Sequence, residues 1–255
     1  MIVCILGSMV MVAAILLAIE VGRRIGMRRF KEEGEDFKKG FSAVESAVFA
    51  LMGLVLAFSF SGALSRFDAR RHLVVEEVND VGTAWLRIDL LPAEVQPKMR
   101  ELFRRYLDFR IGLYQDPVKF EAAEAELGKQ TALQNEIWTL AVAASRDMPA
   151  STPGMLLLPA LNAMFDITTT RTEAIRIHTP AAVFAMLGAL TLACSLFAGY
   201  DMAGGTRLKR LHAVFFAVVL SVTIYVIVDL EYPRLGLITM SDSDHVMPDL
   251  RKSMN

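Results

Sequence analysis

Four apolar stretches, each about long enough to cross a bilayer, constrain this chain more than any other feature. The first runs from Met1 to about Val21 (MIVCILGSMVMVAAILLAIEV) and carries no charge before Glu20. The second covers about Ala43 to Leu64, the third Pro180 to Tyr200 and the fourth about Leu211 to Leu230. Roughly 20 consecutive apolar residues, wound as a helix, span a hydrocarbon core of about 30 Å. Charged residues still make up 22% of the chain, so charge is segregated from the apolar runs. The expected fold is therefore all-α: a polytopic membrane protein with four transmembrane helices in two hairpins and a helical soluble domain between spans 2 and 3.

The first stretch lacks the basic leader and small-residue cleavage site of a secretory signal. The basic segment RRIGMRRFK follows it, which is a stop-transfer pattern, so it reads as an anchor. Residues 1–64 then form hairpin 1 (spans 1–21 and 43–64). Residues 65–178 form the extramembrane domain, 179–230 hairpin 2 (spans 180–200 and 211–230), and 231–255 a C-terminal tail. The link DMAGGTRLKR keeps hairpin 2 tight. Arg23, Arg24, Arg28, Arg29, Lys31, Lys38 and Lys39 lie in the first short loop, and Arg207, Lys209 and Arg210 in the other. Basic short loops stay cytoplasmic, so in a plasma (inner) membrane this multi-pass chain would put its middle domain outside. Arg66, Arg70 and Arg71 on the opposite side weaken that bias.

No proline interrupts the chain from Ala43 to Leu90, so span 2 is expected to run on as one helix of about 70 Å. Along it Ser46, Ala50, Gly53, Ala57, Phe60, Leu64, Phe67, Arg71, Val74, Val78, Val81, Trp85 and Ile88 follow alternating steps of four and three, a heptad seam. Its residues are small within the membrane, which permits close helix approach, and larger beyond it. Two roles fit: packing against the chain's own helices, or meeting symmetry mates around an axis. In the second role Val74, Val78, Val81 and Trp85 form an oligomer seam. After Pro92, a helix over about 94–114 places Met99, Leu102, Phe103, Tyr106 and Leu113 on one face. Another follows Asp116-Pro117 to about Arg146, with Phe120, Leu127, Ile137, Leu140 and Ala144 inward. MPASTPG (148–154) reads as a loop, and a last helix covers about Met155 to Ile177, with Pro159 delaying or kinking it.

Most chemistry is excluded. There is no phosphate-binding loop, dinucleotide fingerprint, HExxH or GxSxG, so no enzyme is expected, and no cofactor. The net charge of -1 gives no basic surface for nucleic acid. Cys4 and Cys194 lie in apolar stretches and read as small core residues. The four histidines are scattered and no metal site is evident. Glu76, Glu77 and Asp80, close in sequence to Arg70, Arg71 and Arg87, read as helix-surface ion pairs. Asn162, Asp166, Thr169 and Arg171 read as interhelical hydrogen-bonding groups. No charge sits mid-membrane, which disfavours a transporter. It leaves a channel open, since pores can be lined by small and hydroxyl residues and closed by apolar constrictions. Span 2 offers that mixture: pore-lining candidates are Glu45, Ser46, Gly53, Ala57, Phe58, Phe60, Leu64 and Phe67. Glu45 would form an acidic mouth in a ring, or serve only as a helix-start carboxylate favoured by the macrodipole.

The stretch FSFSGALSRFDARRHLVVEEVNDVGTAWLRIDLLP (58–92), with FRRYLDFR (103–110), LLPALNAMFDITTTRTEAIR (157–176) and DLEYPRLGLI (229–238), resembles the bestrophin-like membrane proteins, a family classed as a domain of unknown function. The resemblance covers most of the chain after span 1. It implies paired spans around a helical domain. By similarity to bestrophins, which are pentameric ligand-gated anion channels, it implies a second span lining a pore, with Phe58 or Phe60 as an apolar neck. The expected function is a homo-oligomeric ion channel, its partners the lipid bilayer, inorganic ions and copies of itself (five by analogy). The alternative is a non-conducting scaffold or sensor whose helical domain binds a partner or ligand.

Overall fold

The computed structural model describes residues 2–33, 42–115, 123–146, 152–203, 207–232, 236–238 and 245–254. Among them every element is helical. In chain order these are α1 (Ile2–Glu33), α2 (Ser42–Arg87) with a 3₁₀ turn (Ile88–Leu90), α3 (Gln96–Gln115), α4 (Ala123–Arg146), α5 (Thr152–Arg176), α6 (Ala181–Asp201), α7 (Arg207–Glu231) and α8 (Val246–Ser253). The uninterrupted helix expected from Ala43 is present, and it stops where Leu91 turns extended before Pro92. Pro180 caps the start of α6. Pro159 lies inside α5 without ending it, and α5 already begins within the expected loop 148–154, of which 148–151 lie outside the described residues. Three helical stretches among the described residues are long and apolar enough to cross a membrane, within 43–90, within 154–201 and at 211–231.

The chain packs as two compact units. One comprises residues 1–67 and 178–238, the other 68–177 and 239–255. In the first, Ile15, Ile19, Met52, Leu187, Cys194, Ala213, Ala217, Leu220 and Ile224 share one apolar core. The backbones of α1 and α6 approach closely at two glycines. A Cβ added to Gly22 would stand 2.0 Å from the carbonyl oxygen of Leu196, and one added to Gly199 1.9 Å from that of Ile19. Only glycine fits there, a small-residue contact of the kind that membrane helices use in place of hydrophobic drive. Cys194 is buried and free, as its setting implied, while the side chain of Cys4 lies outside the described residues. The buried hydroxyls of Thr191 and Ser195 donate to the carbonyls one turn back, Leu187 and Thr191.

The second unit has its own core. Val78, Val81, Ala84, Trp85 and Ile88 of the α2 segment meet Met99, Leu102, Phe103, Tyr106 and Leu107 of α3, Ile137 and Ala141 of α4, and Leu157, Leu161 and Met164 of α5. The inward faces read for α3 and α4 are present, except that Leu113 and Leu140 are only half-buried. Phe120 and the side chain of Leu127 lie outside the described residues. One element was missed. Residues 246–253, read as tail, form α8, which buries Met247 in this core and binds α3 through Arg251–Asp108 (2.7 Å), while Arg104 Nε donates to the Met254 carbonyl at 2.7 Å. Eight residues with one buried methionine are a weak periodic signal, and long-range ion pairs leave none.

Candidate functional site

Within the first unit α2 has two faces. Val48, Phe49, Met52, Val55, Leu56 and Ala63 turn toward the chain's own apolar core or are buried. The opposite face is open: Ser46, Gly53, Ala57, Phe60 and Leu64 are all exposed, and a Cβ on Gly53 would meet nothing within 4 Å. Only 11% of the most apolar window of α2 is buried, against 33% for α7, so α2 is the least covered of the three apolar stretches found among the described residues. The open face has two flanks of different chemistry. One carries the small and hydroxyl residues Ser46, Ala50, Gly53, Ala57 and Ser61, bounded by Phe60 and Leu64. The other carries Val44, Leu51, Leu54 and Phe58, all large and apolar. Phe58, 69% exposed, therefore stands apart from Phe60, 40% exposed, because two residues along a helix are about 200° apart.

Two of the eight candidates do not share the open face. Glu45 is half-buried and stands on the same side as Met52 and Ala63, seven and eighteen residues on, which is the covered side. Phe67 is buried.

The open side continues along the helix in rows spaced by eleven residues. Ser46, Ala57, Asp68, Asn79 and Leu90 are all exposed; so are Gly53, Leu64, Val75 and Leu86. On a straight helix an eleven-residue row drifts by about 20° per repeat in the sense opposite to the heptad's 20°, and so turns more slowly per residue. From Ser46 to Ile88 the heptad seam therefore rotates by roughly 120°. This corrects the oligomer-seam assignment: Val74, Val78, Val81 and Trp85 are buried by the chain itself. Trp85 packs on Phe103 with ring centroids 6.2 Å apart, under the guanidinium of Arg100 at 4.6 Å. Intrachain packing, the first of the two roles, accounts for this half of the pattern.

The charges of the second unit also differ from the surface pairs expected. Glu77 is fully buried and bridges three helices. It accepts from Arg110 Nε of α3 at 2.6 Å and from Arg171 of α5. Arg110 also donates to Gln130 Oε1 (2.7 Å), whose amide donates to Thr168 at 3.0 Å. Burial alone would raise the Glu77 carboxyl, but Arg110 and Arg171 together outweigh it and hold it below the ordinary range. One turn on, burial and then the neighbouring Glu76 and Glu77 raise Asp80. Arg70 is buried too, donating to the carbonyls of Ala174 (3.1 Å) and Ile177 (2.9 Å). Of the polar stripe on α5, Arg171 turns inward while Asn162, Asp166 and Thr169 stay exposed.

In the first unit Arg66, just past the expected span, pairs with the fully buried Glu231 at 2.7 Å. Glu231 also accepts from the Thr179 amide at 2.7 Å, and His178 stacks on Tyr232 at 4.6 Å. Asp229 accepts from the amides of Leu237 and Ile238, both at 2.9 Å, and packs so closely on Gly236 that a Cβ there would stand 1.8 Å from its Oδ1. No sequence pattern announces these links, since Arg66 and Glu231 are far apart in the chain. Among the described residues no group of three or more metal-ligating side chains is present.

The bestrophin-like domain matches residues 9–244, nearly the whole chain. The chain belongs to the bestrophin-like family. Its fold is that of solved bestrophin homologues. Crystal structures of two variants of a bacterial bestrophin homologue from Klebsiella pneumoniae superpose with TM-scores of 0.73 and 0.71, each at 13% identity and each covering 96% of this chain and 98% of that one. A third structure, titled only as a membrane protein, matches at 0.71 and 13% identity with the same coverage. No curated protein sequence matches. At such identity the likeness is one of fold. The family and the apolar helices make this a membrane protein, with no catalytic family indicated.

Proposed function

We propose that this bestrophin-like chain assembles as a homo-oligomeric ion channel, five copies by analogy with bestrophins, with the small-residue flank of α2 facing a central pore. The observation that carries this reading is the open face of α2. Lipid suits the flank of Val44, Leu51, Leu54 and Phe58. It gives no reason for the adjoining row of Ser46, Gly53, Ala57 and Ser61, whose small side chains would leave room for water and ions once copies surround an axis. On this reading Phe60 and Leu64 form the apolar constriction and Phe58 faces lipid. Four spans cross a plasma (inner) membrane, with the basic loops on the cytoplasmic side.

Reconstitution of the full chain in planar bilayers tests it. Currents are expected from the wild type. Phe60→Ala should change unitary conductance or the closed fraction, while Phe58→Ala should leave both unchanged. Absence of current, together with stoichiometric capture of a partner by the helical unit, would support the scaffold alternative instead.

A further inference from the structure

We infer that Asp68 sets the ion preference of this pore, and sets it toward cations; the inference rests on the channel reading above. The segment Arg66–Arg71 holds three arginines and one aspartate, so by count it looks basic. The structure divides these charges. Arg66 is committed to Glu231 and Thr179. Arg70 is buried against two backbone carbonyls. Arg71 is half-buried and has interactions of its own. Asp68 alone of the four is exposed.

Its position on the helix gives that exposure a direction. Asp68 follows Ala57 by eleven residues and Ser46 by twenty-two, in the same open row. It is the first carboxylate that row meets after the apolar segment. The other nearby carboxylates are placed differently. Glu45 lies on the covered side, Glu77 is neutralised by two guanidiniums, and Glu76 stands about 80° around the helix from Asp68. A ring of copies would thus present one carboxylate each at the end of the constriction, while Arg66 and Arg70 are engaged within the chain. Rings of acidic side chains raise local cation concentration and repel anions.

The test is reversal potential across a KCl gradient, with the full-length protein reconstituted at low ionic strength. The wild type is expected to favour potassium over chloride. Asp68→Asn should lower the permeability ratio about fivefold or more, Asp68→Lys should invert it, and Asp68→Glu should preserve it. Glu76→Gln, an exposed charge off the row, should leave the ratio unchanged. The Asn effect should shrink toward 1 M salt, where the screening length falls to about 3 Å. A wild type that favours chloride overturns the inference. So does an Asn variant that conducts with wild-type selectivity. A wild-type protein that carries no current overturns the pore reading itself, a separate failure. If Asp68→Asn fails to assemble, the Glu and Lys pair decides: equal selectivity in the two also overturns the inference.

Discussion

The two ends of α2 carry the same heptad of small and apolar residues, yet one end is bare and the other is buried. From Ser46 to Leu64 the seam looks away from its own chain; from Val78 to Ile88 it packs in one core with α3, α4 and α5. The residue types anticipate this. Ser, Gly and Ala bury little area and cannot hold a core together, whereas Val, Trp and Ile each bring roughly 1.5–3 kcal/mol on full burial. A seam read at a period of 3.5 mixes two faces of a helix that turns every 3.6 residues. The error is small over one or two turns and decisive over twelve.

The largest expected effects lie at the buried end. Glu77→Ala would strand two buried guanidiniums and should cost about 3–5 kcal/mol, read as an early unfolding transition of the helical unit in detergent. Trp85→Ala should cost a similar 3–5 kcal/mol through the cavity it leaves. If either substitution is neutral, the claim that this end is core fails.

Acid sharpens the same contrast. The Glu77 carboxyl is lowered on folding, so its stabilisation is complete above the unfolded carboxylate value of about 4.3 and is lost as pH falls through the lower folded value. Asp80 is raised, so its penalty at neutral pH is relieved as acid protonates it. Thermal stability should therefore hold, or rise slightly, from pH 7 to about 5 and fall only below about pH 4. In Glu77→Gln the fall below about pH 4 should be weaker.

The bare end should behave in the opposite way. A Cβ at Gly53 meets nothing within 4 Å, so Gly53→Leu, replacing a poor helix former, should stabilise the protomer by up to about 1 kcal/mol. Placed in a ring it should nonetheless block assembly or current. The smallest effect is expected at Glu45. Glu45→Gln should leave conductance and selectivity as they are, because that carboxylate stands on the covered side. A clear loss of cation preference there would return the acidic mouth to Glu45.

Much of the architecture is legible in the sequence, because apolar runs, prolines and one-sided helices are local signals. The apolar stretches, the unbroken α2, the stop before Pro92 and the inward faces of α3 and α4 all follow from residues a few positions apart. What escapes is set by distant pairs. Glu77 sits beside arginines in sequence, yet its partners are Arg110 and Arg171, brought by two other helices. Arg66 finds Glu231 across the fold. Gly22 and Gly26 are spaced one turn apart in α1, and a Cβ at Gly26 would stand 2.7 Å from the Tyr200 carbonyl oxygen, so this spacing is a local cue for close packing. Of the pore-lining candidates, Ser46, Gly53, Ala57, Phe58, Phe60 and Leu64 are exposed, and their lining of a pore remains the proposal. Glu45 is half-buried and Phe67 buried; Phe67 and the distal seam turn inward because a period of 3.5 drifts around a helix that turns every 3.6 residues.

The account stands on one claim: the open face of α2 in the first unit is completed by further copies of this chain. Native mass spectrometry of the wild-type protein in mild detergent, with Gly53→Leu alongside, tests it most directly. The account predicts a discrete ring of four or more copies, five by analogy, that is lost in the Gly53→Leu protein while its protomer stays folded. A wild-type protein that is a stable monomer or dimer would contradict it.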